Sequence, residues 1–387
     1  MALPMKGGCP KDREGLLIYM KSVAALVSGG VDSAVSVWML KEQGYTPHLF
    51  YIKIGPEHDK EWNCTSEEDV EICRWLARRF GCPFDVVDLH KDYWDKVVGY
   101  TMDKARMGLT PNPDVMCNRL IKFGCFEDVV GRDFDITATG HYATTTVIDG
   151  KTWLSTSPDP VKDQTDFLSQ ITSLQVSKLM FPIGHMWKHE VRAIAQREQL
   201  LNAQRKDSQG ICFLGNVDFR EYVKRHLGEN PGDVREIETG HKIGQHRGLW
   251  FYTIGQRKGL GFGGGPWFVV KKNLRRNILF VSHGYDPERV YKSHIKMNDF
   301  HFITYNPWEQ ESGLAGGVQD PVPQMQAHPV TFKIRHTPEF LTGHVRRNTD
   351  GSWHLDADQP IHGVAAGQFC VIYDTNHHLC YGSGEID

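Results

Sequence analysis

The chain has 387 residues, of which 24% are charged, and a formal net charge of −3. That length exceeds what one compact core fills and implies roughly two or three domains, while the balanced charge excludes a globally basic nucleic-acid binder and leaves any RNA contact to local patches. No apolar stretch is long enough to span a bilayer and residues 1–21 lack the apolar segment of a signal peptide, so the expectation is a cytoplasmic protein without membrane contact.

In chain order, residues 23–27 (Val-Ala-Ala-Leu-Val) suit a strand buried on both faces. Ser28-Gly-Gly-Val-Asp-Ser33 follows, and Val31, Val35, Trp38 and Met39 recur at helical spacing until Gly44 stops the helix. Gly29 and Gly30 keep the turn free of bulky side chains, so its N–H groups can approach an anion. The hydroxyls of Ser28 and Ser33 add donors, and the helix start adds partial positive charge. The turn matches neither G-x-x-x-x-G-K-[ST] nor G-x-G-x-x-G. The pattern then predicts a strand over 49–54, a helix from Ser66 to Gly81, a strand over 84–89, helices over 91–107 and 118–130, and a strand over 135–139. Such alternation predicts an α/β fold, a doubly wound parallel sheet with ligands outside the strand C-termini. Asp149-Gly150 marks a hairpin, 189–201 a helix and 217–227 another. Gly- and Pro-punctuated segments follow, as at 230–233 and 259–266. Beyond residue 292 the short β-like runs 330–334, 340–345, 353–355 and 369–373 predict a small antiparallel barrel. The expected divisions are 18–215, 216–291 and 292–387.

The nine cysteines are odd in number and lack the spacing of a small disulfide framework, which leaves metal or thiol chemistry open. Cys117 follows Thr110-Pro-Asn-Pro-Asp114-Val-Met, a stiff loop expected to deliver it to a helix start, where the local field favours thiolate. Cys212 lies in Lys206-Asp-Ser-Gln-Gly-Ile-Cys-Phe213, a polar loop. Each alone reads as a structural thiol; together, flanking the nucleotide-binding segment, they suit a carrier and a resolving partner for sulfur transfer. Asp114 reads either as a general acid/base or as a helix cap. Cys73, Cys82, Cys125, Cys370 and Cys380 sit in apolar periodic contexts and are expected in the core, and Cys9 in a tail. The basic stretches 188–206 and Lys271-Lys272-Asn-Leu-Arg275-Arg276 fit RNA patches or solvated faces equally well. Trp250, Phe251 and Tyr252 fit either base stacking or the core of the central domain.

The motifs S-G-G-V-D-S (28–33), N-P-D-V-M-C-N (112–118), T-G-H-Y (139–142), K-D-Q-T-D-F-L (162–168), D-S-Q-G-I-C-F (207–213) and T-I-G-Q-R-K-G-L-G (253–261) occur in this order. Together they resemble the tRNA-specific 2-thiouridylases, and the likeness runs from about Ser22 to Gly384, including A-A-G-Q-F-C-V-I-Y-D (365–374). The turn at 28–33 is similar to the PP-loop of enzymes that split ATP between its α- and β-phosphates.

The resemblance implies a PP-loop ATP pyrophosphatase domain, a small α+β central domain that binds tRNA, and a C-terminal antiparallel β-barrel. It implies that Leu26, Val27, Ser28, Gly29, Gly30, Val31, Asp32 and Ser33 cradle ATP with Mg2+, with Ile52 and Gly140 lining the adenosine pocket. Asn112, Pro113 and Asp114 would meet the target base of the tRNA, while His141, Lys162, Asp163, Gln164, Arg335, His336 and Gln368 would lie along it. Cys212 would accept a persulfide from a sulfur donor protein, either a cysteine desulfurase or a relay protein; Cys117 would be the partner thiol and Asp114 would handle protons. The implied reaction adenylates the C2 oxygen of the wobble uridine and replaces it with sulfur, giving 2-thiouridine, AMP and pyrophosphate. The chain departs from the family pattern at Lys53-Ile-Gly-Pro-Glu-His, ahead of Trp62-Asn-Cys64-Thr. Some relatives carry Cys where this chain has Asp114, and a route in which Cys117, Cys212 and residue 114 hold an iron–sulfur cluster stays open. Two rival readings are an amide-forming ligase with the same ATP site and a non-catalytic tRNA-binding or sulfur-relay protein.

Overall fold

The computed structural model describes residues 21–55, 66–207, 219–284, 288–309 and 326–387. In the first region β1 (Val23–Leu26), β2 (His48–Lys53), β3 (Phe84–Asp88) and β4 (Ile136–Ala138) precede a hairpin, β5 (Thr144–Ile148) and β6 (Lys151–Ser155), and a short β7 (Leu179–Met180). A parallel sheet forms in the order β3-β2-β1-β4-β7. Side chains of β1 alternate between two cores, as a doubly covered strand requires. Val23 and Ala25 pack with α1 (Val31–Glu42), α2 (Ser66–Phe80) and the helix Lys188–Arg197. Ala24 packs with Phe50, Tyr93, Val97, Ile121 and Tyr222 on the other face. The chain leaves β1 toward β2 on one side and later places β4 on the other, so the C-terminal end of β1 lies at the switch point where such sheets bind ligands.

One expected boundary moves. Helical residues run from 113 to 129, so the helix placed at 118–130 begins at Pro113 and takes in Cys117. Asn112 caps it, its side-chain oxygen accepting from Val115 N at 3.3 Å, and Pro113 occupies the first turn, where a missing N–H costs nothing. Asn-Pro, expected as loop, is a helix start. Cys117 therefore lies beyond the first turn, where the helix field has fallen off, and not at the helix start as expected.

The central region forms β8 (Gly232–Glu236), β9 (Lys242–His246), β10 (Trp267–Asn273) and β11 (Ile278–His283), in the order β10-β11-β8-β9 around Val234, Leu249, Val269 and Leu279. Tyr252 packs on this core, while Trp250 and Phe251 pack on the first region's core beside Tyr222.

The last region contains β12 (Tyr291–Phe302), β13 (His328–Lys333), β14 (Leu341–Arg347), β15 (Trp353–His362), β16 (Phe369–Tyr373) and β17 (Leu379–Ile386). The order β12-β15-β14-β13-β16-β17 closes through β12–β17 into an antiparallel barrel, and the hairpin β5–β6 extends it along β17. β12 and β17, which close the barrel, were not expected as strands. β12 sets Lys292, His294, Lys296 and Asn298 among its apolar residues, and β17 carries Gly382 and Gly384. A Cβ on Gly382 would collide with the His301 carbonyl, and one on Gly384 would sit 2.7 Å from Met297 Cβ; the glycines mark where β17 crosses β12. Cys73, Cys125, Cys370 and Cys380 are buried and Cys82 is partly buried. Burial pushes the Cys73 thiol up to about 12. Among the described residues no helix is long and apolar enough to cross a membrane.

A buried ion pair ties the barrel to the first region: Lys333 Nζ donates to Asp163 Oδ2 at 3.2 Å, with both side chains at most 1% exposed. Ser157 N and Thr165 Oγ1 complete the carboxylate's partners. Burial raises the Asp163 carboxyl above its ordinary value, with Lys333 opposing. Lys333→Met should lower stability at pH 7 by about 3–5 kcal/mol, because it strands a buried carboxylate. An acid whose folded-state value is raised binds more protons folded than unfolded, so the variant should regain stability as pH falls from 7 toward 5. Urea unfolding at both pH values measures this; a loss under ~1 kcal/mol, or one independent of pH, contradicts the role given to the pair.

Candidate active site

The turn Ser28–Ser33 sits between β1 and α1, and no side chain caps α1. Gly30 occupies the cap position, so the first N–H groups of the helix face the crevice without a capping oxygen. The two serines brace the turn from within: Ser28 N donates to Ser33 Oγ at 3.2 Å, and Ser33 Oγ donates to Gly30 O at 3.0 Å. Gly29 has φ +73°, and a Cβ there would lie 3.0 Å from Asp69 Cα. Its carbonyl points away from the crevice and accepts from Asn202 Nδ2 at 2.8 Å and Arg205 NH1 at 3.2 Å. Arg205 is itself paired with Asp69 at 2.5 Å.

Gly140, just past β4, closes the turn from the other side. A Cβ on it would lie 2.9 Å from Ser33 N and 3.0 Å from Asp32 C, so this close approach admits only glycine without movement. Leu26 pairs in register with Phe50, and Ile52 lies two residues further along β2, so Leu26, Val27, Ile52 and Gly140 gather at the C-terminal edge of three adjacent strands.

Asp32 and Val31 open α1. The Asp32 carboxylate receives Tyr142 OH at 2.9 Å and Lys188 Nζ at 2.7 and 2.8 Å. Burial, with the Asp32 charge next, holds the Tyr142 phenol far above its ordinary value, so it stays a donor. Lys188 also pairs with Asp207 at 2.9 Å, and Asp207 takes Lys162 at 2.7 Å and Arg192. Burial alone would raise Asp207; the bonds from Lys162 and Lys188 outweigh it and hold the carboxyl well below the usual range. The basic stretch 188–206 thus spends Lys188, Arg192 and Arg205 on ion pairs behind the anion site. Asn202, Tyr142, Lys188 and Asp207 were missed as site residues. Tyr142 and Asp207 lay inside quoted motifs, whereas Lys188 was hidden in a charge run.

Cys117 is 2% exposed and packs in the cluster of Ala24, Phe50 and Ile121; Leu26, the end of β1, packs on the same cluster. Asn112, Pro113 and Asp114 form the start of its helix. Cys212 lies outside the described residues, so the structure describes only one member of the cysteine pair. Among the described residues no group of three or more His, Cys, Asp and Glu side chains could hold a metal ion.

The residues expected along tRNA divide. His141 shares a hydrogen bond with Thr139 Oγ1 at 2.9 Å, and burial, with nearby Lys122 adding, holds its imidazole neutral. Lys162 and Asp163 are engaged as above, and Gln164 Oε1 accepts from Tyr142 N at 3.0 Å. Arg335 and His336 are exposed at the end of β13. A hydrogen bond to Asp166 raises the His336 imidazole, which stacks on Phe167 at 4.7 Å. Gln368 turns toward the loop ahead of Asn112, donating to the Thr110 and Pro111 carbonyls at 3.0 Å each.

Three family models match the chain: the tRNA methyl transferase HUP domain over residues 21–216, the tRNA methyl transferase PRC-barrel domain over 220–283, and the aminomethyltransferase beta-barrel domain over 318–386. The chain is similar to the tRNA-specific 2-thiouridylase MnmA of Parabacteroides distasonis, 58% identical over 94% of this chain and 98% of the relative. It is 40% identical to the tRNA-specific 2-thiouridylase MnmA 1 of Geobacillus kaustophilus over 95% of each. Among solved structures, the U34-tRNA thiolase NcsA from Methanococcus maripaludis with its [4Fe-4S] cluster aligns with 53% of this chain and 65% of its own length. Its identity is 19% and its TM-score 0.32, too distant to bear on chemistry.

Gly140→Ala tests whether the close approach shapes the anion site. The folded variant should bind ATP about 10-fold more weakly, a loss of ~1.4 kcal/mol by titration calorimetry. Unchanged affinity would show that the turn does not depend on this contact.

Proposed function

As a member of the tRNA-specific 2-thiouridylase family, the chain is a tRNA sulfurtransferase, and we propose that it thiolates the wobble uridine (U34) in two chemical stages. The family-model names speak of methyl transfer and the relatives' names of thiolation; the uncapped anion turn at the switch point favours a reaction that begins by splitting a nucleotide. That turn is the observation that carries the reading.

The C2 carbonyl of uracil is a weak electrophile without a leaving group. In the first stage its oxygen attacks the α-phosphorus of ATP, pyrophosphate departs, and the oxygen becomes part of an AMP ester. The turn N–H groups, with the Ser28 hydroxyl beside them, bind and orient the phosphates. Lys188, held between Asp32 and Asp207, places a cation beside the turn. Mg2+ would neutralise phosphate charge there, and Asp32, the carboxylate of the turn, would be the residue placed to hold it. Asp114 takes the uridine proton.

In the second stage sulfur from a Cys212 persulfide attacks C2 and AMP leaves. Cys117 attacks the Cys212 sulfur, either to release the terminal sulfur or to resolve the adduct, and a Cys117–Cys212 disulfide remains for a thiol reductant. The persulfide comes from a cysteine desulfurase or relay protein. Asp114 and Cys117 are two of the donors an iron–sulfur cluster would need here, and with Cys212 undescribed no step is assigned to a cluster. Residues 18–215 carry the chemistry on this reading, while 216–291 and 292–387 hold tRNA. The wobble base is already in a single-stranded loop, so extruding it costs little.

Cys117→Ser and Cys212→Ser should each cut 2-thiouridine formation roughly 100-fold or more while a tRNA-dependent burst of pyrophosphate persists. Nucleoside analysis of the tRNA with a pyrophosphate assay reads both. Normal thiolation in both variants would overturn the sulfur route, and absence of any tRNA-dependent pyrophosphate in the unsubstituted protein would favour a binding protein.

A further inference from the structure

The loop 108–112 has no sheet or helix ladder of its own, yet it delivers the chain to Asn112, the cap of the helix carrying Asp114 and Cys117. Its backbone is held by the other two regions of the chain. From the barrel, the turn 365–368 lies along it: Thr110 N donates to Ala366 O at 2.8 Å, and the Gln368 amide donates to both Thr110 O and Pro111 O. Gly367 has φ +89°, and a Cβ there would lie 2.8 Å from Leu109 Cβ and 3.0 Å from Thr110 N, so the two backbones are in direct contact. The turn is in turn anchored to β17, with Gly367 N donating to Ile386 O and Ile386 N to Gln368 O, each at 2.8 Å. Glu385 of the same strand pairs with Lys104.

From the central region, Lys272 on β10 donates to Gly108 O at 2.9 Å, and Leu274 covers Gly108, whose φ is +73°. Burial lowers the Lys272 amine to about 8, so a group that water would solvate well is instead committed to one carbonyl. With Pro111 and Pro113 stiffening the loop and no space between it and the barrel turn, a shift of either neighbour must move the helix start.

We propose that the loop 108–112 is the element through which tRNA held by the barrel and central regions sets the position of Asp114 and Cys117, with Lys272 and Gln368 as positioning residues. Gln368 then acts by holding the loop, and not by adding tRNA affinity. The proposal rests on the thiolation reading for its activity measurements, but not for its structural one.

The test uses the full chain with Lys272→Met and, separately, Gln368→Leu, each removing a donor while keeping the side chain's length or bulk. Steady-state thiolation should show kcat reduced at least ~10-fold, the scale expected for a misplaced catalytic group, while tRNA KM and Kd stay within about threefold. Hydrogen exchange in residues 108–117 should slow when tRNA binds the unsubstituted protein and not when it binds the variants. A Kd weakened in step with kcat/KM at unchanged kcat would make these residues plain tRNA contacts and overturn the proposal. Unchanged kcat with unchanged exchange would overturn it as well. If Cys117→Ser still thiolates tRNA, the functional reading fails while the exchange measurement still decides the loop's role. The two variants lie on different regions, so misfolding of one leaves the other to report.

Discussion

A turn that binds an anion through its backbone has to leave those N–H groups bare, so every contact that fixes it must come from behind or beside it. This chain meets that constraint at the start of α1, whose first N–H groups take no side-chain cap, while Ser28 N and Gly30 N bond to the serine hydroxyls inside the turn. The Gly29 carbonyl is held from behind by Asn202 and Arg205, the serine hydroxyls brace the interior, and Gly140 presses on Asp32 and Ser33 from the next strand. Gly140 is placed there by the sheet order, because β4 flanks β1 on the side away from β2, while Asn202 and Arg205 arrive from the turn that follows the helix Lys188–Arg197.

The same constraint accounts for the charges around the site. Lys188 is a cation near an anion site that does not block it, because in this structure it is shared by Asp32 and Asp207. Asp207 gathers Lys162 and Arg192 as well, so segments around 162, 188 and 207 meet at one carboxylate. Segment 162–168 continues into Asp163 and Asp166, which pair with Lys333 and His336 of the barrel. The turn at 28–33 and the barrel are thus linked through one loop, and the Cys117 helix and barrel through another, at 108–112. A connection of this kind suits the proposed reaction, whose two substrates, a nucleotide and a folded RNA, must be brought together at one atom.

Much of this was legible in the residues. The alternation of β1 through β4 with helices was readable because each strand is a short apolar run between turn signals, and Ser28-Gly-Gly-Val-Asp-Ser33 announced a turn without bulk. The barrel's closing strands were not legible: β12 is mostly polar on its outer face, and the glycines of β17 are required by the crossing at His301 and Met297, a tertiary fact no local pattern carries. The start of the Cys117 helix was missed because Asn-Pro serves loops and helix caps alike, and only the bond to Val115 N decides. The stretch 188–206 stayed open between an RNA patch and a solvated face, since a run of cations looks the same whether it faces RNA, water or a set of half-buried carboxylates. Family motifs named Gln368, but only the structure gives its amide's partners, Thr110 and Pro111.

The central claim is that the oxygen of the target uracil is activated by transfer of AMP before sulfur arrives, and following that oxygen tests it most directly. A substrate tRNA carrying oxygen-18 at C2 of the wobble uridine, turned over once with ATP and the sulfur donor, predicts AMP that contains one heavy oxygen, in an amount matching the 2-thiouridine formed. Heavy oxygen in water or pyrophosphate, with unlabelled AMP, would contradict it.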